Sequence, residues 1–506
     1  MRHLPTQNYC GLTVVLSNPS RFDLDNNYLI SGFAGTYFNE ILAEHKLHRN
    51  NCDIREHSSQ SEGLLPETKV VLLLGDPAFK GWTQDKYKAA SLGEQRGYPI
   101  DIPAGIPAIC SYSPQDCFDM QKYEDRLNPL LNDDSEDEAA KEDEDEDDNS
   151  IKRHGKTRRS NYRFWFKRDL SKAIWRLGNN SFDNTPWETR VYPTSQEVIG
   201  VLASTKDQDL YLDIETDLED QNLFCLGFNF SNSNLVYVVP FLRYDYTLAY
   251  SDYHRIMRSL SVALRSNTVV VHNSMFDLCV LSYKYGLPIP SRNYDTMLSQ
   301  HRCFPEAEKS LGHSISSWPR LWSMPFHKDE GVFPPRSLQQ EKELWQYNAK
   351  DVWAMRLIKQ EQLAYAATDE GLWASVQQAN SLIEPYLICQ LTGMRYDTEK
   401  AAAIRKKNDR LMTHYLRAIK VLAGREVLPT SPKQCRDYFF RDLGYKPTMY
   451  TKDKTTGQAK NPSTGEDALQ KLKLKYPLNA AIDFMIAYRE RAKESGMVKF
   501  NPMPLN

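Results

Sequence analysis

Two acidic side chains close together on one predicted strand could bind a metal ion. Asp213 and Glu215 lie in the run from Leu210 to Thr216, in which Leu212 and Ile214 occupy the alternate positions. Because successive side chains of a β-strand point to opposite faces, the two carboxylates share the face away from the apolar residues. Such a pair alone is usually only solvated, so its meaning depends on what else the chain brings to it.

Two further acidic segments follow in the sequence. The apolar run Thr268–Val271 reads as a buried strand that leads into a helix with Asp277 in its first turn. Tyr347 and Asp351 are four residues apart in a helical stretch and therefore share a helix face. Four carboxylates at one point would repel each other unless cations neutralised them, and an all-oxygen ligand set suits Mg²⁺ or Mn²⁺. The predicted site holds two such ions.

The order and chemistry of these segments resemble the exonuclease motifs of the DEDD superfamily. The motifs read Asp-x-Glu, Asn-x-x-x-Asp and Tyr-x-x-x-Asp, and the tyrosine marks the DEDDy branch. That branch includes the proofreading domain of family A DNA polymerases and also RNase D. The resemblance implies a 3′→5′ exonuclease in which two ions about 3.5–4 Å apart activate water and stabilise the departing oxygen of a phosphodiester.

The resemblance also assigns roles to individual residues. Asp213, Glu215 and Asp351 would hold the tighter ion, while Asp213 and Asp277 would contribute to the second. Tyr347 would orient the attacking water. The predicted substrate-binding residues are Thr216, Asn273 and Phe276; stacking on an aromatic ring tolerates any base, as a proofreading enzyme requires. Asp295, in a stretch similar to an Asp-Thr-Met-Leu segment of family A exonuclease domains, is expected to support the metal ligands or to play a structural part, rather than to bind the metal.

The elements that must position these residues belong to a multidomain α/β protein. A chain of 506 residues is too long for one core, so two to four domains are expected. The net charge of −3 conceals an almost wholly acidic run, Asp133–Asp148, and a basic block from Lys152 to Arg168. The acidic run is predicted to be a disordered linker. The basic block could follow nucleic-acid phosphates or neutralise the acidic run in cis.

The first domain is predicted to be an α/β sandwich. Leu12–Leu16 and Lys69–Gly75 read as buried parallel strands, with a helix around Tyr37 to His45 between them. The segment resembles the uracil-DNA-glycosylase fold. The turn Tyr112–Gln115 departs from the His-Pro-Ser type of active members, so the domain is expected to be a non-catalytic module that binds nucleic acid or docks a protein. An unrelated α/β domain is the alternative.

The central domain is predicted to have an RNase H-like fold, and the C-terminal region is mostly helical. Several phrases after Gln378 resemble the thumb of family A polymerases, among them Ser431–Gln434, Pro462–Leu472 and Ala487–Arg489. The predicted domains are residues 1–125, a linker at 126–160, the exonuclease at 161–375 and the thumb-like segment at 376–506. Lysines of the last segment would contact duplex phosphates, or form only a solvated surface: Lys433, Lys452, Lys454, Lys460, Lys471 and Lys473.

Palm and fingers motifs are not found before the last residue, Asn506. The chain is therefore not expected to polymerise DNA alone. It resembles the N-terminal part of a split or truncated phage-type polymerase, whose palm and fingers could be a separate polypeptide. The expected partners are a single-stranded 3′ end and primer-template DNA. Alternatives are an RNase D-like RNA exonuclease and a catalytically silent clamp on primer-template.

Cysteine usage and hydropathy bear on location. The nine cysteines include no CxxC pair, which is typical of reduced thiols. No apolar run reaches the roughly 18 residues needed to span a bilayer, and a signal-peptide core is not evident. The expectation is a soluble cytoplasmic protein, in the host cytoplasm if it is phage-encoded, with no membrane partner.

Overall fold

A computed structural model describes residues 2–17, 19–58, 63–83, 87, 90–117, 159–179, 186–217, 220–242, 249–321, 335, 337–452 and 459–498. The chain divides into two compact units, Met1–Thr392 and Gly393–Pro504. The predicted acidic run, Asp133–Asp148, and residues 152–158 of the basic block lie outside the described residues.

The first unit contains two six-stranded sheets. The sheet nearer the N-terminus has the strand order β1-β3-β2-β4-β6-β5. Its strands are β1 (Arg2–His3), β2 (Leu12–Leu16), β3 (Asp53–Glu56), β4 (Val70–Leu74), β5 (Pro99–Asp101) and β6 (Pro107–Ser111). As predicted, β2 and β4 are adjacent parallel strands. Both are buried along their whole length, which explains their continuous apolar sequences.

Helices cover both faces of this sheet. In chain order they are α1 (Arg21–Asp25), α2 (Gly32–Glu44), α3 (Asp76–Trp82), α4 (Leu92–Gln95), α5 (Pro114–Cys117) and α6 (Arg159–Gly178). α6 supplies Phe166 and Leu170 to the core of the first sheet, whereas its Trp165 belongs to the core of the second sheet. This helix therefore packs in both cores.

The second sheet has the order β12-β11-β8-β9-β10-β7. Its strands are β7 (Glu188–Val191), β8 (Asp209–Thr216), β9 (Leu223–Phe230), β10 (Leu235–Pro240), β11 (Thr268–Val271) and β12 (Asn293–Asp295). The three predicted antiparallel strands are β8, β9 and β10, and β11 runs parallel to β8. The edge strands β7 and β12 complete the sheet.

The remaining helices of the first unit pack around the second sheet. They are α7 (Ser195–Ser204), α8 (Tyr250–Ser266), α9 (Ser274–Tyr283), α10 (Thr296–Cys303), α11 (Leu311–Ser316), α12 (Leu338–Ala366), α13 (Glu370–Ser381) and α14 (Ile383–Thr392). The long helix α12 buries Trp345, Val352 and Trp353 in the same core as Val236 and Val238 of β10. Among the described residues, no helix has the length and apolar character needed to cross a membrane.

The second unit is mostly helical, as predicted. It contains α15 (Thr398–Ala423), α16 (Pro432–Arg436), a π-helical turn (Asp437–Asp442), α17 (Glu466–Lys475) and α18 (Ala480–Met497), with the hairpin β13 (Tyr450–Lys452) and β14 (Ala459–Pro462). Its core joins Ile419 of α15 to Phe439, Leu469 and Ile482. The predicted α/β multidomain class with a helical C-terminal region is confirmed.

Candidate active site

β8 presents its two acidic residues on one face. Leu212 and Ile214 are buried, while Asp213 and Glu215 are partly exposed. In the antiparallel register with β9, Asp213 lies opposite Gly227 and Glu215 lies opposite Cys225. The alternation read from the sequence thus brings both carboxylates to the same side of the sheet.

The helix α12 brings a third carboxylate to this face. One carboxylate oxygen each from Asp213, Glu215 and Asp351 lies within 4.8 Å of the other two. Asp351 lies 138 positions after Asp213, so only the fold brings them together. Tyr347, one turn before Asp351, hydrogen-bonds to the Asp351 carboxylate. Burial raises the pKa of that carboxyl, and the hydrogen bond from Tyr347 lowers it by a smaller amount. The pairing of Tyr347 with Asp351 is the one expected from the helical spacing.

Asp277 lies close to this group but is not a member of it. Its carboxylate oxygen Oδ1 accepts a hydrogen bond from the backbone N–H of Ile214 at 3.1 Å. Burial, and then the charge of Asp213, raise the pKa of Asp277. The structure therefore brings three of the four predicted ligands together and places the fourth beside the strand that carries two of them.

The electrostatics of the cluster favour a bound cation. Burial raises the pKa of Asp213 to about 7, although the hydrogen bond from Asn348 opposes the shift. Burial, followed by the negative charge of Asp213, raises the pKa values of Glu215 and Asp351 well above their usual range. The buried Oδ1 atom of Asp351 has no hydrogen-bond partner in the described part of the chain. An all-carboxylate set with an unpartnered oxygen fits Mg²⁺ or Mn²⁺, which would supply the missing positive charge.

The predicted substrate-binding residues lie on two elements. Asn273 and Phe276 are at the start of α9, where Asn273 has a φ of 73° and is exposed. Phe276 is partly buried against the core of the second sheet. Thr216, at the end of β8, is 7 % exposed. Asparagine is one of the few residues that adopt the left-handed region readily, which suits it to this turn.

Asp295 stabilises the turn at Asn273 through backbone hydrogen bonds. Its carboxylate accepts hydrogen bonds from the backbone N–H groups of Asn273 at 3.2 Å and Ser274 at 2.7 Å. The same carboxylate caps α10 by accepting from Met297 and Leu298. The structural part expected of Asp295 is therefore the simultaneous fixing of two helix starts.

Replacement of Asp295 by alanine should destabilise the first unit and weaken binding of a 3′-terminal nucleotide. The loss of stability should be about 2 kcal/mol, the upper end for an N-cap, because two helices lose their cap at once. Urea unfolding and the KM for a DNA oligonucleotide would measure the two effects. Unchanged values for both would show that the four hydrogen bonds have no such part.

Comparisons with known proteins add little to this geometry. No family model matches the sequence, and no curated protein matches it. One similar solved structure is described as the POL domain of Pol1 from M. smegmatis in complex with DNA primer-template and dNTP. The similarity has a TM-score of 0.44 at 15 % sequence identity and covers 62 % of this chain and 49 % of that chain. This chain thus matches about half the length of the polymerase chain.

Two residues near the site were not singled out from the sequence. Asn348 is fully buried and donates a hydrogen bond from Nδ2 to Asp213 Oδ2 at 2.7 Å. His272 hydrogen-bonds through Nδ1 to the Thr296 hydroxyl and through Nε2 to the Lys309 carbonyl oxygen, both at 2.9 Å. Their only signal in the sequence is adjacency, since each lies directly beside a predicted site residue.

A buried ionic network contacts Ser316, a few residues after the Lys309 carbonyl that His272 contacts. Arg96 pairs with Asp169 of α6 at 3.1 Å, and its other guanidinium nitrogen donates to the Ser316 hydroxyl at 3.0 Å. Lys172 of α6 donates to the carbonyl oxygens of Gly97 and Ser316, both at 2.8 Å. The network links the first sheet to the end of α11, which begins two residues after Lys309.

The turn Tyr112–Gln115 of the first domain also meets α6. Tyr112 packs against Tyr162 with ring centroids 4.2 Å apart, and Ser113 is buried. Ser111, at the end of β6, donates a hydrogen bond to Asp169 at 2.6 Å. These side chains contact other parts of the chain. That the domain is a non-catalytic module, which binds nucleic acid or docks a protein, stays a prediction.

In the second unit, residues from the segments that were compared with a polymerase thumb make contacts within the unit itself. Ser431 caps α16 by accepting from the Gln434 N–H. Arg489 donates to the carbonyl oxygens of Pro429 and Thr464. Of the predicted phosphate-contacting lysines, Lys473 pairs with Asp483 at 2.6 Å, while Lys454 and the side chains of Lys452 and Lys460 lie outside the described residues.

Proposed function

We propose that this chain is a metal-dependent 3′→5′ DNA exonuclease that hydrolyses phosphodiesters to nucleoside monophosphates. The observation that carries the proposal is the convergence of Asp213, Glu215 and Asp351 within 4.8 Å, with Tyr347 hydrogen-bonded to Asp351. Three ionised carboxylates from two distant elements repel each other, and a bound cation would compensate that repulsion. The order of the motifs supports the exonuclease class.

In this proposal the side chains of the site bind the metal ions and orient the attacking water and the terminal nucleotide. Asp213, Glu215 and Asp351 would hold one divalent ion, and Asp277 with Asp213 would contribute to a second. Bound ions would supply charge neutralisation at the scissile phosphate and activation of water. Tyr347, half-buried beside Asp351, would orient the water, and the exposed turn at Asn273 would receive the terminal nucleotide.

The wider proposal is that the exonuclease is the proofreading portion of a family A, phage-type replicative polymerase. The thumb-like segments of the second unit support this wider proposal. The first domain would be a non-catalytic module that binds nucleic acid or a protein. The order of the second sheet, with β8 to β10 antiparallel and β11 parallel to β8, supports an RNase H-like exonuclease domain.

Digestion of matched DNA and RNA oligonucleotides tests the proposal. With Mg²⁺ or Mn²⁺, a 5′-labelled single-stranded DNA should shorten one nucleotide at a time from its 3′ end, and EDTA should stop the reaction. Faster digestion of RNA would favour an RNase D-like enzyme. Tight binding of primer-template without metal-dependent turnover would favour a silent clamp and would reject the exonuclease.

A further inference from the structure

Asn348 is a polar side chain enclosed in the core directly behind the carboxylate cluster. It follows Tyr347 on α12 and is 0 % exposed. Its Nδ2 atom donates to Asp213 Oδ2 at 2.7 Å and lies 3.4 Å from the backbone oxygen of Asp213. A buried amide that donates to a carboxylate forms one of the stronger classes of hydrogen bond in proteins.

The orientation of the Asn348 amide is determined by its neighbours. Both atoms that it meets on Asp213 are oxygens, so the NH₂ group must face them and Oδ1 must face away. Oδ1 has no hydrogen-bond partner in the part of the chain that the structure describes. A buried acceptor without a partner costs stability, and the hydrogen bond that the same amide donates to Asp213 offsets part of that cost.

Gly227 makes the space into which Asn348 fits. It lies on β9 directly opposite Asp213. A Cβ atom at position 227 would overlap the Asn348 Oδ1 atom and would lie 2.9 Å from Val352 Cγ2. Glycine weakens the interior of a strand, and it commonly marks a place where another group approaches the backbone closely. Here the approaching group is the Asn348 amide.

We propose that Asn348 is a positioning residue that holds the Asp213 carboxylate toward Glu215 and Asp351, and that Gly227 is required for its placement. The inference rests on the proposed metal-dependent function, because it concerns a predicted metal ligand. Without the hydrogen bond, the Asp213 side chain is free to leave the orientation in which its oxygen joins the cluster. Partners of metal ligands typically contribute about 10–100-fold to metal affinity or activity.

Replacement of Asn348 by leucine, which is branched at the same carbon and cannot donate a hydrogen bond, tests the inference in the full-length protein. Mn²⁺ affinity, measured by electron paramagnetic resonance without DNA, should fall about 10–100-fold. The kcat for DNA digestion should fall with it at a fixed low Mn²⁺ concentration, whereas the KM for DNA should stay within about twofold. Wild-type Mn²⁺ affinity in a folded Asn348→Leu protein would overturn the inference.

Gly227→Ala supplies a second, independent variant. It should lower Mn²⁺ affinity in the same direction, because the added methyl group displaces the amide. The double variant Asn348→Ala with Gly227→Ala should bind Mn²⁺ no more weakly than Asn348→Ala alone, since the two changes act on one contact. Additive losses would overturn the role assigned to Gly227. Gly200→Ala is the matched control, because a Cβ atom there meets nothing within 4 Å.

The outcomes separate this inference from the proposed function. A wild-type chain that binds Mn²⁺ but does not shorten DNA would reject the exonuclease, and the Mn²⁺ titrations of the variants would still decide the role of Asn348. A chain that shortens DNA while Asn348→Leu binds Mn²⁺ normally would keep the exonuclease and reject the positioning role. If Asn348→Leu does not fold, Asn348→Ala, which also lacks a donor and avoids the added apolar bulk, is titrated in its place with the same criterion.

Discussion

Replacing Asp213 by asparagine and Glu215 by glutamine should lower 3′-end digestion of DNA by at least about 10³-fold. The loss of one group that stabilises developing charge already costs about 10²–10³-fold in enzymes, and this double variant removes two of the clustered carboxylates. Both substitutions keep the shape of the side chain, so a loss of activity would not arise from a cavity. Digestion of a 5′-labelled oligonucleotide in Mg²⁺ and in Mn²⁺ measures the effect.

The same variant should be more stable than the wild type when metal is absent. Burial raises the pKa of Asp213 to about 7, above the value of about 3.9 expected in the unfolded chain. The folded wild type therefore holds protons that the unfolded chain releases, and its stability falls as pH rises from about 4 to about 7. Neutral side chains remove this penalty. The difference in melting temperature should be near zero at pH 4 and largest above pH 7.

Addition of Mg²⁺ or Mn²⁺ should reverse the comparison by stabilising only the wild type. A free metal concentration 100 times the dissociation constant corresponds to about 2.7 kcal/mol. Asp207→Asn is the control, because Asp207 is 82 % exposed and pairs with Arg292 on the surface. Equal melting temperatures for the double variant and the wild type at pH 8 in EDTA would argue against the repulsive cluster.

The parts of the site that follow local rules could be predicted from the sequence. The alternation around Asp213, the helix start before Asp277 and the four-residue spacing of Tyr347 and Asp351 all reflect periodicities of a strand or a helix. The parallel pair β2 and β4 follows in the same way from two continuous apolar runs.

The supports of the site could not be predicted, because they depend on contacts between distant segments. Asn348 meets Asp213 across 135 positions, and Arg96 meets Ser316 across 220. Gly227 reads in the sequence only as a flexible position within a strand; its reason is the amide that the fold places against it. The short edge strands β7 and β12 carry no alternation long enough to be recognised.

Asp169→Asn should destabilise the first unit by about 3–5 kcal/mol, the usual cost of removing one partner of a buried ion pair. Asp169 is 0 % exposed, pairs with Arg96 at 3.1 Å and accepts from the Ser111 hydroxyl at 2.6 Å. Without the carboxylate, the Arg96 guanidinium stays buried beside Lys172. Burial already lowers the pKa of Lys172 to about 7. Urea unfolding followed by tryptophan fluorescence suits the measurement, since Trp165 lies against the Arg96 guanidinium at 3.4 Å.

A neighbouring surface pair on the same helix provides the control. Lys167 pairs with Glu44 at 2.7 Å, but both side chains are well exposed, so Lys167→Met should cost at most about 1 kcal/mol. A similarly small loss for Asp169→Asn would show that the buried network contributes little to the fold.

Asp169→Asn should also lower exonuclease activity, although Asp169 contacts none of the predicted site residues. Arg96 and Lys172 hold the end of α11 through Ser316, and the segment before α11 accepts the hydrogen bond from His272. His272 directly precedes Asn273, the predicted nucleotide-binding residue. Loosening the network should therefore raise the KM for DNA at temperatures at which the protein is still folded. An unchanged KM, together with reduced stability, would show that the first sheet supports the fold of this unit but not the geometry of its site.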